Sequence, residues 1–162
     1  MAKRLFIDMF QCDMCEECTV RCDYMYQSTV TDHGLRDLRE AVTFQIICRR
    51  CENPSCVAAC RFQALERQAD GVIRRHNMRC VSCKCCSHAC PFGTIYPELT
   101  LFYAVRCDYC LGRLETGDAR CLSTCARKAV SWREVEENPK EQIYVVHERL
   151  AVRAPKWDKR SV

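Results

Sequence analysis

The sequence predicts an α+β fold of short helices and β-hairpins, gathered around something other than a continuous apolar core. The first observation is cysteine usage: of 17 cysteines in 162 residues, sixteen fall into four runs of four. The second is an internal repeat. Cys60-Arg-Phe-Gln-Ala64-Leu65, Cys90-Pro-Phe-Gly-Thr94-Ile95 and Cys125-Ala-Arg-Lys-Ala129-Val130 each place a small and an aliphatic residue four and five positions after the last cysteine of a run. In each of these the last two cysteines stand at i and i+4, neighbours on one helical face, so each unit reads as loop, short helix, short strand. The third is the apolar inventory. Hydrophobic content of 48% includes the cysteines, and what remains without them is modest.

Along the chain, Leu5 to Phe10 alternates weakly and reads as a strand leading into Cys12, Cys15, Cys18 and Cys22. An insertion follows, broken at Gly34. Leu35, Leu38 and Val42 have helical spacing while Val42, Phe44 and Ile46 alternate, which predicts a helical turn and then a strand. The second run is Cys48, Cys51, Cys56 and Cys60. Asp70-Gly71 then supplies the turn of a β-hairpin between Ala64-Leu65 and Val72-Ile73. The third run is Cys80, Cys83, Cys86 and Cys90, followed by an apolar stretch from Leu99 to Val105. The fourth is Cys107, Cys110, Cys121 and Cys125. After Trp132 the composition turns acidic, through Glu134, Glu136, Glu137 and Glu141. Ile143 to Val146 reads as an edge strand, and the basic remainder to Val162 as either a disordered tail or a partner-binding arm.

The third run, Cys80-Val-Ser-Cys83-Lys-Cys-Cys86-Ser-His-Ala-Cys90-Pro91, carries the spacing C-x2-C-x2-C-x3-C-P with which ferredoxins hold 4Fe-4S clusters. Thiolates this close on one loop can take three corners of a cubane while backbone N–H groups turn toward its sulfides. The fourth cysteine is carried to a second cluster, so one run obliges the chain to contain a partner run. The first run repeats the spacing without the proline; the second and fourth widen the middle gap. Cys85 offers a competing register, but Cys86 keeps both gaps and leaves Cys85 a bystander. Zinc is the competing reading of any C-x2-C. Zinc sites pair two such units at a distance, whereas here three cysteines fall within seven residues and a fourth follows after three more. His33, His76, His88 and His147 are scattered, although His88 lies where it could donate to a sulfur. Trp132 and Trp157 read as packing residues.

A formal charge of +4 does not indicate nucleic acid here. An oxidised cluster with four thiolates carries about −2, so four of them bring the loaded protein to about −4. Arg49, Arg50, Arg61, Arg79, Lys84, Arg106 and Lys128 lie beside the runs and read as compensation for cluster charge. The basic start is interrupted by Asp8 and Gln11, and no apolar stretch approaches the length of a membrane span. A reducing compartment, most simply the cytoplasm, is expected, and a cluster-organised core implies a poorly folded apoprotein.

Cys48-Arg-Arg-Cys51-Glu-Asn-Pro54-Ser-Cys56-Val-Ala-Ala-Cys60 resembles the second motif of the four-cluster ferredoxin-like electron-transfer subunits, the group of the dimethyl sulfoxide reductase B subunit. Cys107-Asp-Tyr-Cys110 with Arg113, Gly117, Cys121 and Cys125 resembles the fourth. The resemblance covers about residues 5 to 132, with all four motifs in the family's order, although proline follows only Cys90. It implies two interleaved two-cluster modules, an outer one from 1–47 and 99–132 and an inner one from 48–98, followed by a charged extension at 133–162. It implies four 4Fe-4S clusters. Their ligands would be Cys12, Cys15, Cys18 and Cys125; Cys107, Cys110, Cys121 and Cys22; Cys48, Cys51, Cys56 and Cys90; and Cys80, Cys83, Cys86 and Cys60. The implied function is a non-catalytic relay of single electrons between a catalytic subunit and another redox protein. The catalytic partner would be a tungsten or molybdenum enzyme, a carbon monoxide dehydrogenase or a hydrogenase. A freely diffusing polyferredoxin and a zinc-stabilised interaction module are the alternatives, and self-association through the tail would extend the wire.

Overall fold

A computed structural model describes residues 2–23, 32–102 and 106–156. The part of the apolar stretch at 103–105, Trp157 and the end of the tail lie outside the described residues, as does the side chain of His33. The chain divides into two compact units, one of Met1–Leu38 with Val105–Pro155, the other built on Arg39–Ala104.

The first unit rests on a four-stranded sheet. Its strands are β1 (Lys3–Asp8), β4 (Val130–Glu134), β5 (Ile143–His147) and β6 (Leu150–Arg153), in the order β4-β1-β6-β5. β1 is antiparallel to β4, with Leu5 opposite Trp132, and parallel to β6, with Ile7 opposite Val152. Leu5, Phe6 and Ile7 are all buried, because both faces of the central strand are covered. Phe6 packs with Val135 and Ala151 on one face, while Leu5 and Val130 look onto a hollow lined by cysteines on the other. Asp8 ends β1 and caps a four-residue helix α1 (Met9–Cys12) by accepting from the N–H groups of Phe10 and Gln11 at 3.1 and 3.4 Å.

The C-terminal stretch is therefore no appendage. β4 runs past the expected boundary at residue 132, and β5 is the anticipated edge strand. β6, between β5 and β1, supplies Leu150, Ala151 and Val152, all fully buried. Its acidic composition misled because Glu134, Glu136, Glu137 and Glu141 occupy exposed positions around an otherwise apolar hairpin.

Helix α2 (His33–Val42) buries Leu35, Leu38 and Val42 as their spacing required. No strand follows. The chain widens into a π-helical turn at Thr43–Ile47, closed by the Cys48 N–H donating to the Thr43 carbonyl at 2.7 Å. Thr43, Phe44, Ile46 and Ile47 are all buried there and only Gln45 is not, so the apparent alternation of 42, 44 and 46 was a sampling of a mostly buried turn.

In the second unit β2 (Leu65–Arg67) and β3 (Ile73–Arg75) form the expected antiparallel hairpin, with Leu65 opposite Arg75. Gly71 turns it at φ +83°. One core cluster is Phe44, Cys56, Leu65, Ile73 and Ile95, against which Cys48, Cys60, Cys86 and Cys90 pack. Cysteine sulfur thus forms much of the boundary of this core. Short helices α3 (Ser55–Ala58), α4 (Cys85–Ala89) and, in the first unit, α5 (Arg120–Thr124) carry the third cysteine of their runs. Two expectations for the repeat change. Each helix stops before the fourth cysteine, and Cys90 and Cys125 are extended at ψ 112° and 104°, so they leave the helical face instead of sharing it. After the third run, Pro97 lacks the N–H a strand needs and opens a 3-10 turn, Pro97–Leu99, where the other two repeats enter β2 and β4.

Candidate iron-sulfur centres

The cysteine loops are built on left-handed backbone. Among the described residues nine non-glycine residues have positive φ, and all but Gln142 lie within a cysteine run or in the turn after it. Each costs on the order of 1 kcal/mol or more, so their clustering needs an offsetting interaction. Arg50, Ser82 and Tyr109 occupy the same place, two residues after the first cysteine of runs two, three and four. The N–H groups of Arg50 and Tyr109 bond the sulfurs of Cys48 and Cys107. Gln63, Gly93 and Lys128 stand three residues after Cys60, Cys90 and Cys125, each donating its N–H to that cysteine's carbonyl at 3.0 to 3.2 Å. This turn aims the following N–H groups back at sulfur: Ala64 N donates to Cys60 Sγ at 3.2 Å. Thr94 Oγ1 lies 3.4 Å from Cys90 Sγ. At Cys90 burial opposes ionisation, yet the hydroxyl of Thr94 and the backbone N–H groups of Thr94, Phe92 and Ile95 outweigh it and hold the thiol below its usual range.

Three groups of thiols come together. Cys22, Cys107, Cys110 and Cys121 line a hollow of about 400 Å³, counted with its open mouth, against Leu5, Gly34 and Val130. Burial, then the charges of neighbouring thiols, pushes Cys121 up to about 12; burial also pushes Cys107 up to about 12, with Cys22 and Cys121 adding to it. Cys60, Cys80, Cys83 and Cys86 line a second hollow of about 350 Å³. Burial raises Cys86, and Cys80, Cys60 and Cys83 reinforce it. In the third group burial pushes Cys56 up to about 11, with Cys48 and Cys90 the next contributors. Burial likewise raises Cys48, with Cys51 and Cys90 adding to it. Such mutual repulsion among thiols is what a shared cation core relieves. The first run lies along the fourth: Thr19 Oγ1 donates to the Thr124 carbonyl at 2.8 Å and accepts from Ala126 N at 3.1 Å, straddling Cys125.

None of the seventeen cysteines is in a disulfide. Among the described residues no three His, Cys, Asp or Glu groups converge at the range of one ion; the thiols stand around hollows, a spacing that suits a multi-iron core. With N–H donors aimed at sulfur, this donor set fits 4Fe-4S clusters. Cys86 packs inward, whereas Cys85 is exposed and shares a hydrogen bond with Cys83. His88 is exposed on α4 and reaches no sulfur among the described residues. Of the cations beside the runs, Arg61 favours the Cys83 thiolate and Arg50 that of Cys48. Lys84 turns to the carbonyls of Pro97 and Thr100, and Arg49 covers the ring of Phe92 at 4.6 Å.

Two contributors escaped the sequence reading. Asp37 accepts from the Cys107 N–H at 2.9 Å, anchoring the fourth run to α2. Arg75 bonds the Cys80 thiol and lines its hollow. The inward period-two position of Arg75 on β3, buried-exposed-buried from Ile73, was the available signal.

The chain belongs to the 4Fe-4S dicluster domain family, whose model matches residues 39–135, more than half its length. Its cofactors are 4Fe-4S clusters, and the sixteen grouped cysteines suffice for four. Among its relatives is the tetrathionate reductase B subunit of Salmonella typhimurium, 32% identical over 75% of this chain and 53% of that protein. The anaerobic dimethyl sulfoxide reductase B subunit of Escherichia coli is 26% identical over 93% of this chain and 80% of that one. The thiosulfate reductase electron transfer subunit of Salmonella typhi is 27% identical over 81% and 75%. This chain spans about half the length of the tetrathionate reductase relative. No helix among the described residues is long and apolar enough to cross a membrane.

Proposed function

We propose that this chain relays single electrons between the catalytic subunit of a reductase and a second redox protein, and performs no substrate chemistry itself. The relatives favour, among the partners expected from sequence, a molybdenum enzyme over a tungsten enzyme, a carbon monoxide dehydrogenase or a hydrogenase. A reducing compartment suits seventeen cysteines with no disulfide among them.

The observation that carries the reading is the exchange of last cysteines. Cys22 stands with Cys107, Cys110 and Cys121, Cys60 with Cys80, Cys83 and Cys86, and Cys90 with Cys48 and Cys56. We assign the ligands accordingly, with Cys12, Cys15 and Cys18 completed by Cys125. The clusters, when bound, supply one-electron chemistry at potentials set by their surroundings. The chain's own residues do the rest. The left-handed loops aim N–H groups at sulfur, Leu5, Val130, Leu65 and Ile95 keep water from the thiols, and Arg50 and Arg61 offset negative charge. Cys56 feels Cys86 as well as its own set, so the two sets of the second unit are neighbours suited to electron exchange.

Anoxic purification tests this directly. The protein should carry about sixteen iron atoms with equal sulfide, and mixing it with a reduced redox partner should bleach its brown absorbance. Colourless zinc protein would refute the relay. Cys90→Ser should damage the site of Cys48, Cys51 and Cys56, seen as loss of iron and of one EPR signal. An unchanged iron count and spectrum would refute the exchanged ligation.

A further inference from the structure

Arg75 closes β3 with a side chain only 1% exposed, the most deeply buried cation among the ion pairs of the described residues. A guanidinium taken out of water needs every donor matched. Its Nε donates to Glu40 Oε1 at 2.8 Å and its Nη2 to Oε2 at 2.5 Å, a two-pronged contact with a carboxylate on α2. Nη1 donates to the Leu101 carbonyl at 3.0 Å. The remaining partner is the Cys80 thiol, and Arg75 shares the hollow of Cys60, Cys80, Cys83 and Cys86. Stability alone gives no reason for such a group, since apolar replacements of a buried pair are often neutral or stabilising. Its position gives one: a permanent positive charge is held beside sulfur, while its counter-charge, Glu40, does not line that hollow.

We propose that Arg75 and Glu40 together set the reduction potential of the cluster held at Cys80, Arg75 raising it through the Cys80 sulfur and Glu40 moderating that rise. The inference rests on the reading that Cys60, Cys80, Cys83 and Cys86 hold one cluster. Reduction brings one electron from the redox partner; no bond forms or breaks and no proton moves. The cluster gains a unit of negative charge, and a hydrogen bond to sulfur together with a nearby cation favours that more negative state. Removing the cation makes reduction harder. Removing the carboxylate leaves the cation uncompensated and makes reduction easier.

The test is a potentiometric titration followed by EPR on the anoxically purified, iron-loaded full chain and its variants. Arg75→Gln should lower one midpoint and Glu40→Gln should raise the same one. Arg75→Lys, keeping the charge without the fork, should fall between Arg75→Gln and the parent. A merely structural ion pair would shift no midpoint, or shift both variants the same way, and either result overturns the proposal. Should Arg75→Gln lose its iron, Glu40→Gln decides alone: a rise supports the proposal, and no change or a fall overturns it. Cys80→Ser identifies the affected signal. If that variant keeps every EPR signal and its full iron content, the ligand reading fails and the inference with it. If its signal is lost while the Arg75 and Glu40 midpoints stand still, the inference fails and the ligand reading survives.

Discussion

At Gly34 the chain can carry no side chain without intruding on sulfur. A Cβ built there would stand 3.3 Å from Cys22 Sγ and 3.7 Å from Cys107 Sγ, on the rim of their shared hollow. Helix propensity alone favours replacement, by up to about 1 kcal/mol in a helix interior. Gly34→Val should therefore leave helicity by circular dichroism intact or slightly raised, while iron content falls by about one cluster in four. Retention of full iron would show that the glycine serves only as a breaker, which is how the sequence presented it. Thr94 is a second single-residue test. Its hydroxyl lies 3.4 Å from the Cys90 sulfur and favours the thiolate, so Thr94→Val, close to isosteric, should lower the midpoint potential of the cluster that Cys90 serves. A full complement of iron with an unmoved midpoint would assign Thr94 to packing alone.

Among the elements, the β5–β6 hairpin and the π-helical turn hold the cysteine loops where they are. β6 lies along the central strand β1, and Tyr109, inside the fourth run, bonds His147 of β5 at 2.8 Å through its hydroxyl. Truncation after Val135 would uncover Leu5, Phe6 and Ile7, a bare edge that invites association with other chains. The expected outcome is aggregation, or loss of the iron served by Cys107 and Cys110, read from the iron content of soluble protein. A dispensable arm would instead leave both unchanged. Within the hairpin, Val152→Ala, in a side chain with no exposure, should lower stability by about 1 to 3 kcal/mol, seen as a lower thermal midpoint of the loaded protein. At the π-helical turn the extra residue sets the angle at which Cys48 enters its loop. Deletion of Gln45, the one residue of that turn that is not buried, should restore α-helical winding, rotate Cys48 away and cost the cluster it serves.

At the scale of the whole molecule, apolar side chains and cysteines build the core together. One core cluster of the second unit gathers five buried residues, one of them a cysteine, with Cys48, Cys60, Cys86, Cys90 and partly buried valines packed against it. Burial, reinforced by neighbouring thiols, raises Cys48, Cys56 and Cys86 above their usual range, Cys56 to about 11. Stripping iron with an oxidant and chelator should therefore abolish cooperative thermal unfolding, because metal binding and folding are one equilibrium here. Retention of a sharp transition by the apoprotein would mean that the sheet of the first unit carries the fold by itself.

Sequence by itself determined the chemistry. Thiols spaced by two and three residues can serve little else than iron-sulfur clusters, and the repeat ending in Ala64-Leu65, Thr94-Ile95 and Ala129-Val130 was visible because both are local patterns within one loop and one turn. The Asp70-Gly71 hairpin was legible for the same reason. Tertiary structure decided what depends on distant partners. Residues 150–153 became core through strand pairing with β1, 43–47 became a π-helical turn through burial on every side but one, and Arg75 met Cys80 through a strand end and a hollow. Burial and long-range pairing are properties of the folded chain, and no short window of residues contains them.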